Sequence, residues 1–426
     1  MDKFIRIFKL KDLRNKIIAV ALLLAATRLL AHVPIPGIDT ARLREFFQSN
    51  QLFGLMDIFA GGGLSNVSIA MVGISPYITA SIIIQLLTIL IPSMQELQKE
   101  GGEAGRAKLN QYTRLLTVPL AILQAFGTIT LYARGGTGIV GILTPMEWLI
   151  MLLTVTAGTM VTMWIGEWIT EYKIGNGISL IIFAGIVARL PSMVPQLQAN
   201  IETGSLSIVS IIGFIIVSLL VIAGVVLVSE AQRNIPVSYA KRVRGNKLYG
   251  GVASHLPLRI NTAGVIPIIF AISIMIFPGI VANFLTQANN AFVVSAARQV
   301  LALFNNQIFY GVMYFLLVVL FTYFYTAVVF NPEEVAENIQ RQGGFVPGLR
   351  PGSQTAEFLF KVLNRITLTG ALFLGAIAVL PLLFQAISHS NNLVIGGTSL
   401  LIVVAVVLET VKQIDSQLTV RDYEGF

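Results

Sequence analysis

Ten runs of roughly 20 mostly apolar residues divide this chain of 426 residues, and a helix needs about that many to cross a bilayer. With 55% hydrophobic and 12% charged residues, the composition lies outside the range of soluble domains. The chain is therefore predicted to be an all-α polytopic membrane protein. The predicted spans, numbered one to ten, cover residues 17–33, 70–91, 114–133, 148–168, 178–195, 207–228, 262–284, 309–330, 366–388 and 394–411.

The positive charges are distributed unevenly along these spans. Twenty-three of the 29 Lys and Arg residues lie before the first span, after every second span or in the tail, and the other six lie elsewhere. Short loops rich in Lys and Arg stay on the cytoplasmic side. Because the number of spans is even, both termini are predicted to be cytoplasmic. This bias explains most of the net charge of +8, so nucleic acid remains a candidate partner only through the cytoplasmic loops.

The segment 34–69, between spans one and two, contains a short apolar stretch from Leu52 to Ala60 and then three glycines. The stretch is too short to cross a bilayer. It is predicted to lie in the interface or to fold back into a cavity, where protein or water can satisfy its backbone. The glycines are interpreted as a hinge, because no strand, Lys or Ser/Thr pattern supports a phosphate-binding loop.

Two loops on the predicted cytoplasmic side, 230–261 and 331–365, are too long and too patterned to be simple connectors. In the first loop, the pair Gly245-Asn246 lies between two segments of strand character and predicts a tight hairpin. A basic loop is usually a solvated face that only sets topology. Two ordered projections on the same side favour docking of a partner.

The second loop begins with a helix-start pattern. Asn331 can cap, Pro332 suits the first turn, and Glu334 can complete a capping box. The pattern predicts a helix that stops at Gly343. The Pro-Gly-rich segment after it is predicted to be a rigid exposed loop, with Arg350 held extended by the proline that follows.

Ionisable groups are missing where catalysis or ion coupling would need them. All 21 acidic residues lie in loops or at span ends, and the cations within spans, Arg28 and Arg189, lie toward the outer ends. Coupled transporters usually need such groups near mid-membrane. The three histidines lack metal-ligand spacing and the chain has no cysteine, so no cofactor or enzyme activity is predicted. Passage or scaffolding is favoured; a secondary transporter with inverted five-helix repeats, which composition and span count alone would favour, is the alternative.

The chain resembles the SecY family, the pore-forming subunits of the bacterial Sec protein translocation channel. The matching segments, in chain order, are His32–Asp39, Pro76–Leu87, Gly166–Glu171 with Gly175–Ser179, His255–Arg259 with Ala263–Pro267, Phe345–Gly352 and Gly396–Ile402. The resemblance implies ten helices in two inverted five-helix halves, 1–205 and 206–426, around a central pore. It implies a channel for unfolded secretory polypeptides that releases transmembrane segments sideways into lipid.

By resemblance, a ring of six isoleucines closes the pore at mid-membrane. Without the family match, isoleucine would indicate nothing, because it is common in any span. Both pairs at spacing i, i+4 share a helix face, and an apolar constriction resists wetting and ions. The ring residues are Ile78, Ile82, Ile182, Ile186, Ile269 and Ile402.

The resemblance also implies a plug helix at about 52–65 that seats below the ring, and a lateral gate where spans two and three meet spans seven and eight. Gln85, on the ring face of span two, is expected either to contact the plug or lumen or to bond between helices. The plug residues are Leu55, Ile58, Phe59 and Leu64, and the gate residues are Ile83, Gln124, Asn261 and Phe277.

Docking of the SecA motor or the ribosome is the role that the resemblance implies for the two long loops. SecE and SecG subunits, a signal-sequence-bearing polypeptide and membrane lipid are the further expected partners, with ribosomal RNA as a candidate contact. The expected location is the bacterial plasma membrane. The docking residues are Lys241, Arg242, Lys247, Arg341 and Arg350.

Overall fold

The computed structural model describes residues 10–35, 67–99, 102–134, 144–202, 208–239, 242–244, 247–249, 253–286, 290–388 and 395–424. In this part of the chain the helices are α1 Lys11–Leu30, α2 Ser75–Leu90, α3 Pro92–Lys99, α4 Gly102–Arg134, α5 Pro145–Glu171, α6 Gly177–Glu202, α7 Ile208–Glu230, α8 Ile266–Leu285, α9 Ala291–Asn305, α10 Gln307–Val329, α11 Pro332–Arg341, α12 Ser353–Ser388 and α13 Ile395–Glu424. The strands are β1 Gln232–Tyr239, β2 Arg242–Arg244, β3 Lys247–Tyr249, β4 Ala253–Arg259 and β5 Gly344–Phe345.

Each predicted span falls largely on a helix of its own: α1, α2, α4 to α8, α10, α12 and α13 in chain order. Within the described ranges, four helical stretches are long and apolar enough alone to cross a membrane: Gly102–Thr130, Pro145–Glu171, Gln307–Arg341 and Ser353–Leu380. The pair formed by α2 and α3, bent by 106°, would make a fifth. The count of ten spans therefore stays a prediction.

One large buried apolar cluster lies at the centre of the helices, and α1, α2, α5 to α8, α10, α12 and α13 all contribute to it. The outer faces are apolar as well. On α10, Ile308, Val312, Leu316 and Leu320 repeat every four residues and are each more than half exposed. An apolar stripe of this length on the outside of a span is the surface that lipid covers.

The two long loops fold into one unit, which we call the loop module (residues 230–261 and 331–365). Strands β4, β1 and β5 form a three-stranded sheet, in which β5 from the second loop pairs antiparallel with β1 from the first. The predicted hairpin is confirmed, because Arg244 on β2 pairs with Lys247 on β3. Residues of both loops share a separate apolar core that includes Ile235, Leu258 and Val346.

Helix α11 begins and ends where its sequence predicts. The Asn331 side chain accepts a hydrogen bond from the backbone N–H of Glu333 at 3.1 Å. The helix ends at Arg341, and Gly343 adopts φ +74°, a left-handed conformation that glycine takes without steric cost. The predicted cap, helix and stop are therefore confirmed. The capping box is not formed, because the Asn331 side chain binds the second helical residue and no bond from Glu334 back to the Asn331 backbone is found among the described residues.

Candidate functional site

The six predicted ring residues come from four helices and meet in the central buried cluster. Helix α2 supplies two of them, α6 two, α8 one and α13 one. Each is 5% exposed or less. Burial does not distinguish these six from their neighbours, however, since Ile181, Ile268 and Ile272 belong to the same cluster. Their role as a ring stays a prediction.

A tight connection between α5 and α6 sets the position of the two ring residues on α6. A Cβ atom on Gly177 would lie 1.8 Å from the carbonyl oxygen of Gly166, so the two backbones touch only because residue 177 is glycine. The Thr170 hydroxyl donates to the Gly166 carbonyl and accepts from the Gly177 N–H, both at 2.9 Å. The Asn176 side chain then caps α6 by accepting from the backbone N–H of Ile178 at 3.1 Å. Residues 166–179 thus fix where α6 begins relative to α5, and so the position of its two ring residues in the cluster.

A second local device sets the start of α8. The Asn261 amide donates to the carbonyl oxygen of Gly264 at 3.2 Å, and Gly264 adopts φ +63°. The Oδ1 atom of Asn261 is buried and accepts no hydrogen bond among the described residues. This turn begins the helix that carries Ile269.

The lateral gate is predicted where spans two and three (α2 and α4) meet spans seven and eight (α8 and α10). Helix α8 touches both α2 and α4. Ile83 on α2 is half-buried and Gln124 on α4 is buried, while Phe277 lies within α8 and its side chain is outside the described part. The structure therefore brings span seven (α8) against spans two and three (α2 and α4), and the role of the four residues as a gate stays a prediction.

Gln85 lies one turn beyond Ser81 on α2 and donates to the Ser81 hydroxyl at 3.1 Å. This bond is within one helix, so it is not the interhelical bond that was one of the two sequence interpretations. The Oε1 atom of Gln85 is buried and has no hydrogen-bond partner among the described residues. The other interpretation, a contact with the plug or the lumen, stays a prediction.

The predicted plug residues Leu55, Ile58, Phe59 and Leu64 lie outside the described residues. The two ends of their segment are joined by an antiparallel bridge between Pro34 and Ser68. The Ile35 N–H donates to the Val67 carbonyl, and the Ile69 N–H donates to the Val33 carbonyl, both at 3.0 Å. The segment therefore leaves and re-enters the helical body at one place, directly before α2.

The docking residues belong to the loop module. Arg350 is exposed, and its carbonyl oxygen accepts from the Thr355 hydroxyl at 2.9 Å, which ties the loop to the first turn of α12. Arg341 donates to Glu337 one turn earlier on α11 at 2.7 Å, in a pair that is largely exposed and weak. Lys241 lies outside the described residues, as do the side chains of Arg242 and Lys247 on the β2–β3 hairpin.

The sequence profile of the SecY family matches residues 68–411. The chain belongs to the SecY family. Protein translocase subunit SecY of Streptomyces galbus is 46% identical over 443 residues, covering 100% of this chain and 99% of the relative. Protein translocase subunit SecY of Mycobacterium bovis is 41% identical over 446 residues, with the same coverage. This SecY-family chain is accordingly a polytopic membrane protein.

Solved structures agree with this SecY-family assignment at the level of fold. A structure described as a protein conducting channel has a TM-score of 0.64 at 19% identity and covers 94% of this chain and 91% of its own. Sec61 in the canine ribosome–channel complex has a TM-score of 0.63 at 18% identity, with the same coverage. The helical architecture of this SecY-family member is thus that of the channel proteins.

Two polar contacts between helices of this SecY-family chain were not predicted. Arg114 on α4 pairs with Glu167 on α5 at 2.8 Å, and Lys412 on α13 pairs with Glu230 at the end of α7, also at 2.8 Å. The available signal was that all four residues lie at the inner ends of predicted spans. Charge at span ends is general, however, so it does not say which ends are neighbours.

Proposed function

We propose that this chain is the pore subunit of a protein translocase, and that it passes unfolded secretory polypeptides through its centre and releases transmembrane segments sideways into lipid. The observation that carries the proposal is end-to-end similarity, at 46% identity, to a relative named protein translocase subunit SecY. As a SecY-family member it is a channel subunit and not an enzyme. The alternative, a secondary transporter, is not favoured.

Sealing is the first requirement of such a pore. In the proposed resting state, the six isoleucines form a dry constriction that water and ions do not enter. Their low exposure and their origin on four different helices support this role. Branched apolar side chains can also close around an extended polypeptide of any sequence, because their contacts are non-directional.

Sideways release requires two halves that can part. We propose that these are 1–205 and 206–426, with α8 of one half closing against α2 and α4 of the other, and with residues 52–65 as the plug below the ring. The contacts of α8 with α2 and α4 support a closed gate. A nascent apolar helix would replace those contacts with its own when the gate opens.

The energy for transport must come from a partner. As a SecY-family chain, it works with other translocon subunits and with a motor or the ribosome. We propose that the loop module faces the cytoplasm at the plasma membrane and receives SecA or the ribosome through Arg350 and the β2–β3 hairpin, and that SecE and SecG complete the complex. The exposure of Arg350 on a loop anchored by Thr355 supports this role.

Transport by purified components tests the proposal. The chain is co-reconstituted into vesicles with SecE and SecG, and SecA, ATP and a radiolabelled secretory precursor are added outside. We expect ATP-dependent protection of the precursor from added protease. No protected precursor, together with tight binding of a small solute, would favour the transporter.

Reversal of one loop charge should uncouple the motor. Arg350→Glu is expected to reduce the initial rate of SecA-driven transport by roughly tenfold or more, because a hydrogen bond to a charged group is worth ~1.5–3 kcal/mol. The fold should be unaffected, since the side chain is exposed. Arg350→Lys should recover only part of the rate, because Lys lacks the planar two-pronged geometry.

The matched control is Arg233→Glu, the same charge change at an exposed position on β1 of the loop module. It should leave the rate within twofold of the parent, because an exposed charge that makes no contact with the motor contributes little. A twofold change corresponds to ~0.4 kcal/mol. Equal loss in both variants would assign the effect to the net charge of the module. A normal rate for Arg350→Glu would exclude the proposed contact.

A further inference from the structure

Helix α9 is held firmly at the end of α10 that lies opposite the loop module. It has 15 residues, too few to cross a bilayer. The Asn290 side chain caps its first turn by accepting from the Phe292 N–H at 3.0 Å, and Phe304 meets Phe309 of α10 edge-to-face with 5.8 Å between ring centroids. Helix α9 contacts both α8 and α10. It is therefore a placed element and not a loose connector.

The inner face of α9 is covered by α8 and α10, and its outer face carries both apolar and polar side chains. Ala297 is buried on the inner side. On the outer side, Phe292 is 79% exposed and Leu303 is 51% exposed. At 100° per residue these two lie about 20° apart, whereas Arg298 lies about 120° around the helix from Phe292. The exposed Gln299 lies about 20° from Phe292 on the side toward Arg298. The exposed arc thus runs from the apolar Leu303 and Phe292, through Gln299, to the charged Arg298.

Arg298 is the one charged residue in Ala291–Asn305, and it is exposed. A short helix with an aromatic and a Leu on one flank and a cation on the other is the pattern of a helix that lies in the plane of the membrane surface. The apolar side chains enter the acyl region there, and the cation reaches lipid phosphates.

We propose that α9 lies in the membrane–water interface, with Phe292 and Leu303 in lipid and Arg298 at the headgroups. The exposed apolar surface of α9 continues into that of α10, which favours lipid as its contact. The next exposed apolar side chain along the chain is Ile308, 79% exposed, and it begins the lipid-facing stripe of α10 that continues through Val312. The interface helix and the spanning helix then present one unbroken surface to the bilayer.

The proposed position of α9 in the interface, which we call the lipid seat, would also affect the gate. Because α9 packs on α8, lipid contact at α9 would hold one end of α8 at a fixed depth in the membrane. This consequence rests on the proposed function, whereas the lipid seat itself does not.

Fluorescence quenching in the full chain tests the seat, and the lack of native cysteine gives a clean background. The single variants Phe292→Cys, Leu303→Cys and Arg298→Cys are labelled with the environment-sensitive dye NBD and reconstituted into phosphatidylethanolamine–phosphatidylglycerol vesicles. Nitroxide carried on lipid near the headgroup and iodide in the buffer are the two quenchers. Leu316→Cys on the lipid-facing stripe and Ser254→Cys on the exposed sheet are the reference positions.

Labels at 292 and 303 should emit at shorter wavelength and be quenched several-fold more by lipid nitroxide than by iodide, as at 316. The label at 298 should be quenched more by iodide than those two, which a tilt of the whole helix into water would not produce. Strong iodide quenching at all three positions would place α9 in water and overturn the proposal. Protection of 292 and 303 from both quenchers would mean that protein covers this flank, and would also overturn it.

Discussion

Replacing Ile82 and Ile402 together by Asn is expected to raise the resting ion conductance of vesicles that contain this chain by roughly tenfold or more, which corresponds to ~1.4 kcal/mol less cost of wetting the constriction. Both side chains lie in the central buried cluster, at 3% and 1% exposure. Two amides there would hydrogen-bond water and hold it in the proposed constriction. Precursors with weak signal sequences should also pass more readily, because the closed state loses stability.

The control for this experiment is Ile84→Asn. Ile84 is also buried on α2, at 8% exposure, but it lies about 200° around the helix from Ile82. A polar group at position 84 should affect stability without affecting conductance. If Ile84→Asn leaks as much as the double variant, or if the double variant keeps the parent conductance, the two isoleucines do not form the seal.

A disulfide across the proposed gate should stop both secretion and membrane insertion. Ile83 is one residue past Ile82 and lies about 100° from the ring face, and Phe277 is eight past Ile269 and lies about 80° from it. Because α2 and α8 are in contact, Ile83→Cys with Phe277→Cys is expected to oxidise in the resting channel, which requires Cα atoms within about 7 Å. Transport should fall to background when the bond forms and should recover on reduction.

A disulfide within one proposed half provides the matched control. A Cβ atom at Gly311 on α10 would lie 3.6 Å from the Cγ1 atom of Val379 on α12. Gly311→Cys with Val379→Cys should therefore also cross-link. Both residues belong to 206–426, so this bond should leave transport unchanged. A gate pair that cross-links without loss of transport, or that never cross-links, would mean that the halves part elsewhere.

Short-range patterns allowed correct prediction of the hairpin and of α11, because turn and cap residues act within a few positions of the chain. Gly245-Asn246 needed only its two flanking segments, and Asn331 with Gly343 needed only the helix between them. The apolar runs likewise located the helices, because a membrane-spanning segment carries its signal in its own composition.

Long-range pairings were not predictable in this way. Strand β5 has only two residues, and its partners Ser238 and Tyr239 lie about a hundred residues earlier, so no local pattern joins the two loops. The ring shows the same limit. Ile82 and Ile84 are both buried isoleucines on one helix. Only the family resemblance, through matched motifs, predicts that Ile82 belongs to the pore ring and Ile84 does not.

The path through the isoleucine cluster is tested most directly by finding which side chains a secretory polypeptide touches in transit. A photo-cross-linking amino acid is placed at position 82, 402, 84 or 316 of the full chain, and a precursor is arrested halfway by a folded domain at its C-terminus. We expect cross-links between the arrested segment and positions 82 and 402, few from buried position 84, and only lipid adducts from position 316. Equal yields from 82 and 84, or none from 82 and 402 while the precursor spans the membrane, would contradict a path through the isoleucine cluster.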